Sequence, residues 1–237
     1  MVIPLAMDWL FAPIDGVLHR DFSNLVYWHG RLMILAWAVL FPIGILAARF
    51  FKIMPGQDWP RELDNKTWWH THLTMQYGGG LALLLGLVLI LLAPENQGVS
   101  SLVHTALGWI AVLMAAVQFA GGWLRGTTGG PTRRVPDGSS FGDHYNMTPR
   151  RKAFEAVHKS VGLLAVVVAV VTTLSGLHFV GAPVWMVLTI VVWWIILGLL
   201  FGILQKRGLQ RDTYQAIWGP DPTHPGNQEL RKDGKSA

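Results

Sequence analysis

Cysteine is absent from the 237 residues. That absence excludes disulfides, iron–sulfur clusters, thiolate-held metals and haem attached through a CxxCH motif. Charge is scarce as well: 14% of residues are charged against 51% hydrophobic. With a mean hydropathy of +0.37, this is an integral membrane protein by composition rather than a soluble domain. No basic stretch followed by a cleavable apolar core opens the chain, so no removed signal peptide is expected. The basic residues sit in loops between apolar runs and form no recognisable nucleic-acid module, so the expected partners are membrane lipids and no nucleic acid. Tyrosines number four against twelve tryptophans, which fits helices with aromatic ends or a bulky aromatic ligand between them.

What the chain does have is long apolar runs. The expected fold is all-α, a polytopic membrane bundle with five transmembrane helices near residues 25–48, 67–92, 101–123, 154–177 and 184–204. Each is about as long as a bilayer crossing requires. Pro42 lies inside the first and is placed to bend it. Residues 1–24, broken by Pro4, Asp8, Pro13, Asp15 and Asp21, read as a short interfacial segment, and residues 205–237 as a polar, irregular tail. The stretch 124–154, rich in Gly, Pro, Ser and Arg, reads as surface connection. The short link between the second and third spans makes them antiparallel neighbours.

Five spans put the termini on opposite faces. Among the charges of the N-terminal segment and the 93–100 and 178–183 links, the only basic residue is Arg20. Arg49, Lys52, Arg61, Lys66, Arg125, Arg150, Arg151, Lys152 and the basic residues of the tail fall on the other side. The positive-inside tendency then places the C-terminus in the cytoplasm and the N-terminus outside.

Four histidines, His29, His72, His104 and His158, each fall about one turn inside the N-terminal end of consecutive spans. Because consecutive helices run in opposite directions, His29 shares a depth with His104, and His72 with His158. A lone intramembrane histidine is as readily a packing residue as a functional one. Four in this two-up, two-down arrangement are harder to attribute to packing. Each pair suits an iron porphyrin gripped from both faces, since haem has two axial positions and a flat body that fits between helices. Zinc would want further protein ligands, and the spans hold almost no Asp or Glu. The expected cofactor is therefore two haem b, with His29/His104 and His72/His158 as metal ligands.

Gly108 and Gly162 stand four positions after His104 and His158, on the same helix faces. The missing side chain would let a porphyrin lie close; close helix packing is the alternative, and Gly78, Gly79 and Gly80 read the same two ways. Gln76 and Gln118 bond either the ligand edge or another helix. His70, two positions from His72, points elsewhere. His178 reads as interfacial, and His19, His144 and His224 as loop residues. Arg31 and Arg20 on one side, and Lys159, Arg151 and Lys152 on the other, are placed to meet haem propionates, though lipid headgroups would attract the same charges.

These pieces in order resemble the cytochrome b561 superfamily: WHGRLM around His29, then FPIG and AARF, WWHTHLTMQ with His72 and Gln76, HTALG with His104 and Gly108, and HKSVG with His158 and Gly162. The resemblance, over roughly residues 22–204, is to the haem domains found in bacteria and fungi and at the end of DOMON-containing proteins. It implies a four-helix di-haem core within a domain of residues 25–204, the pairing of first with third and second with fourth histidine, and a bacterial inner (plasma) membrane. The expected function is transmembrane electron transfer from a cytoplasmic reductant or quinol to an outer acceptor. A haem-containing anchor subunit of a larger oxidoreductase, or a non-haem membrane transporter, is the alternative. Electron donor and acceptor, a redox protein among them, and assembly as a homodimer or with a partner subunit stay open.

Overall fold

The computed structural model describes residues 3–17, 21–94, 102–125, 133–134 and 140–232; of residues 3–6, 133–134, 140 and 229–232 it describes the backbone alone. His19, Arg20, residues 95–100 of the link between the second and third spans and the terminal Lys235 lie outside the described residues.

Nearly every described element is helical. The elements are α1 (Ile3–Phe11), α2 (Asn24–Ile34), a π turn (Leu35–Leu40), α3 (Phe41–Phe50), α4 (Thr67–Leu92), α5 (Leu102–Leu124), α6 (Pro149–Phe179), α7 (Val184–Lys206), α8 (Thr213–Trp218) and α9 (Pro225–Lys232). A two-residue antiparallel ladder joins β1 (Arg133–Arg134) to β2 (Ser140–Phe141). Among the described residues, five helices are long and apolar enough to cross a membrane, α2 to α3 counting as one continuous span. At nine residues, α1 is too short to be a sixth. It leads instead to a bridge between Pro13 and Pro183, where the Ile14 amide donates to the Ala182 carbonyl at 2.9 Å and ties the N-terminal segment to the link before α7.

The spans sort into two close pairs, α2/α3 with α4 and α5 with α6. Small residues permit this: Gly79 lies so near the Phe41 ring that a Cβ would stand 2.5 Å from it. Between the pairs the backbones approach chiefly where α6 meets α2 and the π turn. Elsewhere the seam is bridged by side chains: Phe119 of α5 reaches the Cα of Gly80 on α4, and Trp123 Nε1 donates to the Tyr77 hydroxyl at 3.1 Å. Spans two and three are thus neighbours through long side chains rather than close-packed helices. Midway through the bundle, all four spans share one buried core of Ala36, Trp37, Phe41, Ala82, Leu83, Ala111, Ala115, Ala165 and Ala169.

Pro42 acts on this core in a specific way. Lacking an N–H, it cannot bond the Ala38 carbonyl one turn back, and in a bilayer no water would do so. Trp193 of α7 supplies the missing donor, Nε1 to Ala38 O at 2.7 Å. The π turn just ahead of Pro42 takes up one additional residue in this span.

Two elements depart from the sequence expectation. The fourth long helix begins at Pro149, not near 154: Thr148 caps it by accepting from the Arg151 amide, and Pro149 occupies the first turn. The tail is not irregular. Its α8 and α9 fold back on the C-terminal face, where Tyr214, Ile217 and Trp218 pack against Tyr145 and Met147, and Lys52 donates to the Arg211 carbonyl at 2.9 Å.

Candidate functional site

Within each helix pair the histidines are held by the neighbouring backbone. The His29 Nδ1 lies 2.9 Å from the Gly86 carbonyl of α4, the His72 Nδ1 3.0 Å from the Gly44 carbonyl of α3, and the His104 Nδ1 3.0 Å from the Thr172 carbonyl of α6. A carbonyl only accepts, so each of these Nδ1 atoms carries the proton, and the lone pair of the neutral ring sits on Nε2. That is how second-layer hydrogen bonds orient a metal-binding imidazole. The fourth ring differs: His158 Nδ1 is buried with no hydrogen-bond partner.

Across the seam the rings face one another in two pairs. His29 of α2 and His104 of α5 have ring centroids 6.3 Å apart with planes at 89°, and His72 of α4 and His158 of α6 are 6.5 Å apart at 75°. Two imidazoles that grip one ion from opposite sides, with metal–nitrogen bonds of about 2 Å, hold their ring centres roughly 6 Å apart. The observed separations fit such a group. No set of three or more His, Cys, Asp or Glu able to hold a metal occurs among the described residues, so each pair stands alone.

Several residues singled out by sequence now have definite positions. His70 is exposed while His72 turns inward. Gln76 donates to the Phe41 carbonyl at 3.2 Å, the helix-bonding alternative. A Cβ at Gly108 would meet only Thr172, at 4.0 Å, whereas one at Gly162 would lie in van der Waals contact with the Gln118 amide at 3.7–3.8 Å. Arg31 is exposed and lies over the Trp28 ring, 5.0 Å from its centroid. Lys159 bonds Glu155 at 2.8 Å, and the other oxygen of that carboxylate takes Arg151 Nε at 3.0 Å. His178 is exposed. His144 is no loop ornament: it is fully buried, accepts from Trp218 Nε1 at 3.3 Å and packs on Tyr214. Burial, with Arg151 adding repulsion, pushes its pKa down to about 3.

Sequence reasoning missed the carbonyl anchors and also Gly176. A Cβ there would stand 2.6 Å from His104 Cε1, so only glycine lets the ring seat against α6. Nothing in the sequence marks these positions, because an anchoring carbonyl belongs to every residue alike.

Among the described residues, five helices long and apolar enough to cross a membrane, with two levels of facing imidazoles, define a multi-pass membrane protein. Similarity to known proteins points the same way. Residues 28–130 match the family described as eukaryotic cytochrome b561. An Arabidopsis thaliana protein described as containing cytochrome b561 and DOMON domains is 32% identical over 162 residues, 68% of this chain and 15% of that protein. A mouse transmembrane reductase is 35% identical over 114 residues, 47% of this chain and 49% of its own length. Bovine ferric-chelate reductase 1 is 25% identical over 154 residues, 65% of this chain and 22% of its own. The chain therefore spans half or less of each of these relatives. No solved structure matches it.

The plant and mammalian origin of these relatives corrects the sequence reading in two respects. The similarity is to the cytochrome b561 superfamily without the bacterial subtype, and the bacterial inner membrane falls with it, together with the outside and cytoplasmic sides assigned to the termini. The reason is that histidine spacing within apolar spans carries no information about which membrane the chain occupies. The two faces are named below by the terminus that each carries.

Proposed function

We propose that the chain is a b561-type electron carrier that moves electrons across a membrane through two b haems, one held by His29 and His104 and the other by His72 and His158. The observation that carries this reading is the pair of facing imidazoles at each level, with three of the four rings turned by a backbone carbonyl that takes the Nδ1 proton and leaves the ring lone pair on Nε2. When bound, the haems supply reversible one-electron reduction at two depths. Two imidazoles per site fill both axial positions and so favour electron transfer over oxygen chemistry.

The rest is done by the protein. Gly108 leaves room beside His104 where a porphyrin would lie, and Gly162 seats the Gln118 amide one turn from His158. The alanine-rich core between the levels excludes water and keeps them apart: Gly86, which anchors His29, stands fourteen residues along α4 from His72, ~21 Å at the helical rise of 1.5 Å per residue. On the C-terminal face Arg125 and Arg151 lie close enough to His158 to act on it electrostatically, which suits an anionic reductant or quinol arriving there and an acceptor on the opposite face.

The test is the reduced-minus-oxidised spectrum and haem-to-protein ratio of the purified chain beside His104→Ala and His158→Ala. Two b haems in the parent and one in each variant are expected. One haem or none in a parent prepared with ample haem overturns the reading.

A further inference from the structure

The four histidines obey one register, and one of them lacks its partner. Within the first helix pair the anchors are exchanged: His29 is held by Gly86, which stands fourteen residues on from His72, and His72 is held by Gly44, which stands fifteen on from His29. The additional residue in that span is the one the π turn takes up, so Gly44 stays level with His72. Within the second pair His104 is held by Thr172, fourteen residues on from His158. The remaining register position, fourteen on from His104, is Gln118.

Gln118 is also where the packing places a candidate acceptor. Its amide lies 3.7–3.8 Å from the Cβ position of Gly162, one turn beyond His158 on α6. The Cβ direction of Gly162 leans toward the N-terminus of α6, the end on which His158 stands one turn away. His158 Nδ1 and Gln118 Nε2 are both buried and both without a hydrogen-bond partner. A change of Gln118 rotamer that brings its carbonyl oxygen to Nδ1 would give this unpaired buried donor an acceptor.

We infer that Gln118 is the positioning residue of His158: its side-chain carbonyl accepts the His158 Nδ1–H, in place of the backbone carbonyl that holds each of the other three rings. The inference rests on the proposal that His72 and His158 hold a haem, and it deepens that proposal by giving the site a tunable element. A helix carbonyl cannot be changed by substitution, whereas an amide can. The strength of the bond to Nδ1 sets how much electron density the imidazole gives the metal, so Gln118 sets the potential of the site near the C-terminal face and leaves the other alone.

Redox titration and low-temperature electron paramagnetic resonance of the haem-loaded protein test this with Gln118→Met, similar in size but without an acceptor, and Gln118→Glu, which keeps one. The methionine variant should keep two haems, raise the midpoint potential of one and shift the resonance of that haem alone. The glutamate variant should leave that potential at or below the parent value. Loss of one haem from the methionine variant, with both kept by the glutamate variant, supports the same assignment. Two haems with unmoved potentials in both variants, equal shifts of both haems, an upward shift in the glutamate variant, or haem loss from both variants overturns it. A parent without two b haems fails the functional reading itself, which separates the two outcomes.

Discussion

The two histidine pairs are alike in grip and different in surroundings. Near the N-terminal face, both rings are anchored by carbonyls, His104 is backed by Gly176, and the arginine on the His29 helix is exposed over Trp28. Near the C-terminal face one ring of two is anchored, and the neighbours are cationic. Arg125 stacks over Trp69 at 4.0 Å, and Trp69 adjoins His72; Arg151 lies over Phe154, whose ring stacks on His158 at 5.1 Å. The comparison teaches that the fold seats three of the four rings by one device, while the ring without a carbonyl anchor and the arginine-backed aromatic neighbours gather at one end.

The sharpest way to break this symmetry is at Gly176. A valine there would drive its Cβ into the His104 ring and prise it from the Thr172 carbonyl. Gly176→Val should therefore lose one of two b haems, judged by haem-to-protein ratio, and leave the His72/His158 site loaded. Loss of both would mean that the two levels do not load independently.

Acid should separate the faces next. In the folded chain His144 has its pKa pushed down to about 3 from 6.5 by burial and by Arg151. Between these values the unfolded segment binds a proton that the folded one refuses, so stability of the C-terminal cap is complete above about pH 6.5 and falls as pH drops below it. Hydrogen-exchange protection of α8 and the 141–148 stretch, corrected for the intrinsic pH dependence of exchange, should fall between pH 6 and 4, with that of the N-terminal face unchanged. His144→Phe should flatten that dependence.

A smaller effect, confined to one site, is expected from Arg125→Gln. A cation favours the form of a neighbouring group that has gained an electron. Removing it should lower the potential of the haem near the C-terminal face by the equivalent of about 1–2 kcal/mol at an effective dielectric near 20. Redox titration should show the second haem unmoved.

How much of this the sequence carries depends on the kind of signal. The span of α4, Thr67–Leu92, is legible to the residue because uncharged apolar sequence ends sharply there. The start of α6 is not, since Pro149 to Lys152 looks like loop until Thr148 is seen capping it. The helices of the tail are invisible for a related reason: α8 is six residues long and exists by packing Tyr214 and Trp218 on the 145–147 loop. The pairing of His29 with His104 and of His72 with His158 follows from helix direction alone. Their anchors do not, because a fourteen-residue spacing within one helix has no meaning until the neighbouring helix is known.

The smallest effect is expected where sequence placed a ligand contact, at Lys159. Its ammonium is exposed and already engaged with Glu155, which also holds the buried Arg151. An exposed pair one turn apart on a helix contributes about 0.3–0.5 kcal/mol. Lys159→Ala should therefore leave both haems in place and move thermal stability only slightly. Arg151→Ala, by contrast, opens the buried side of the same carboxylate and should destabilise the C-terminal face more. If Lys159→Ala instead strips the haem held by His72 and His158, the lysine exchanges Glu155 for a propionate on loading, and the two faces differ in how they hold the edge of the ligand as well as its iron.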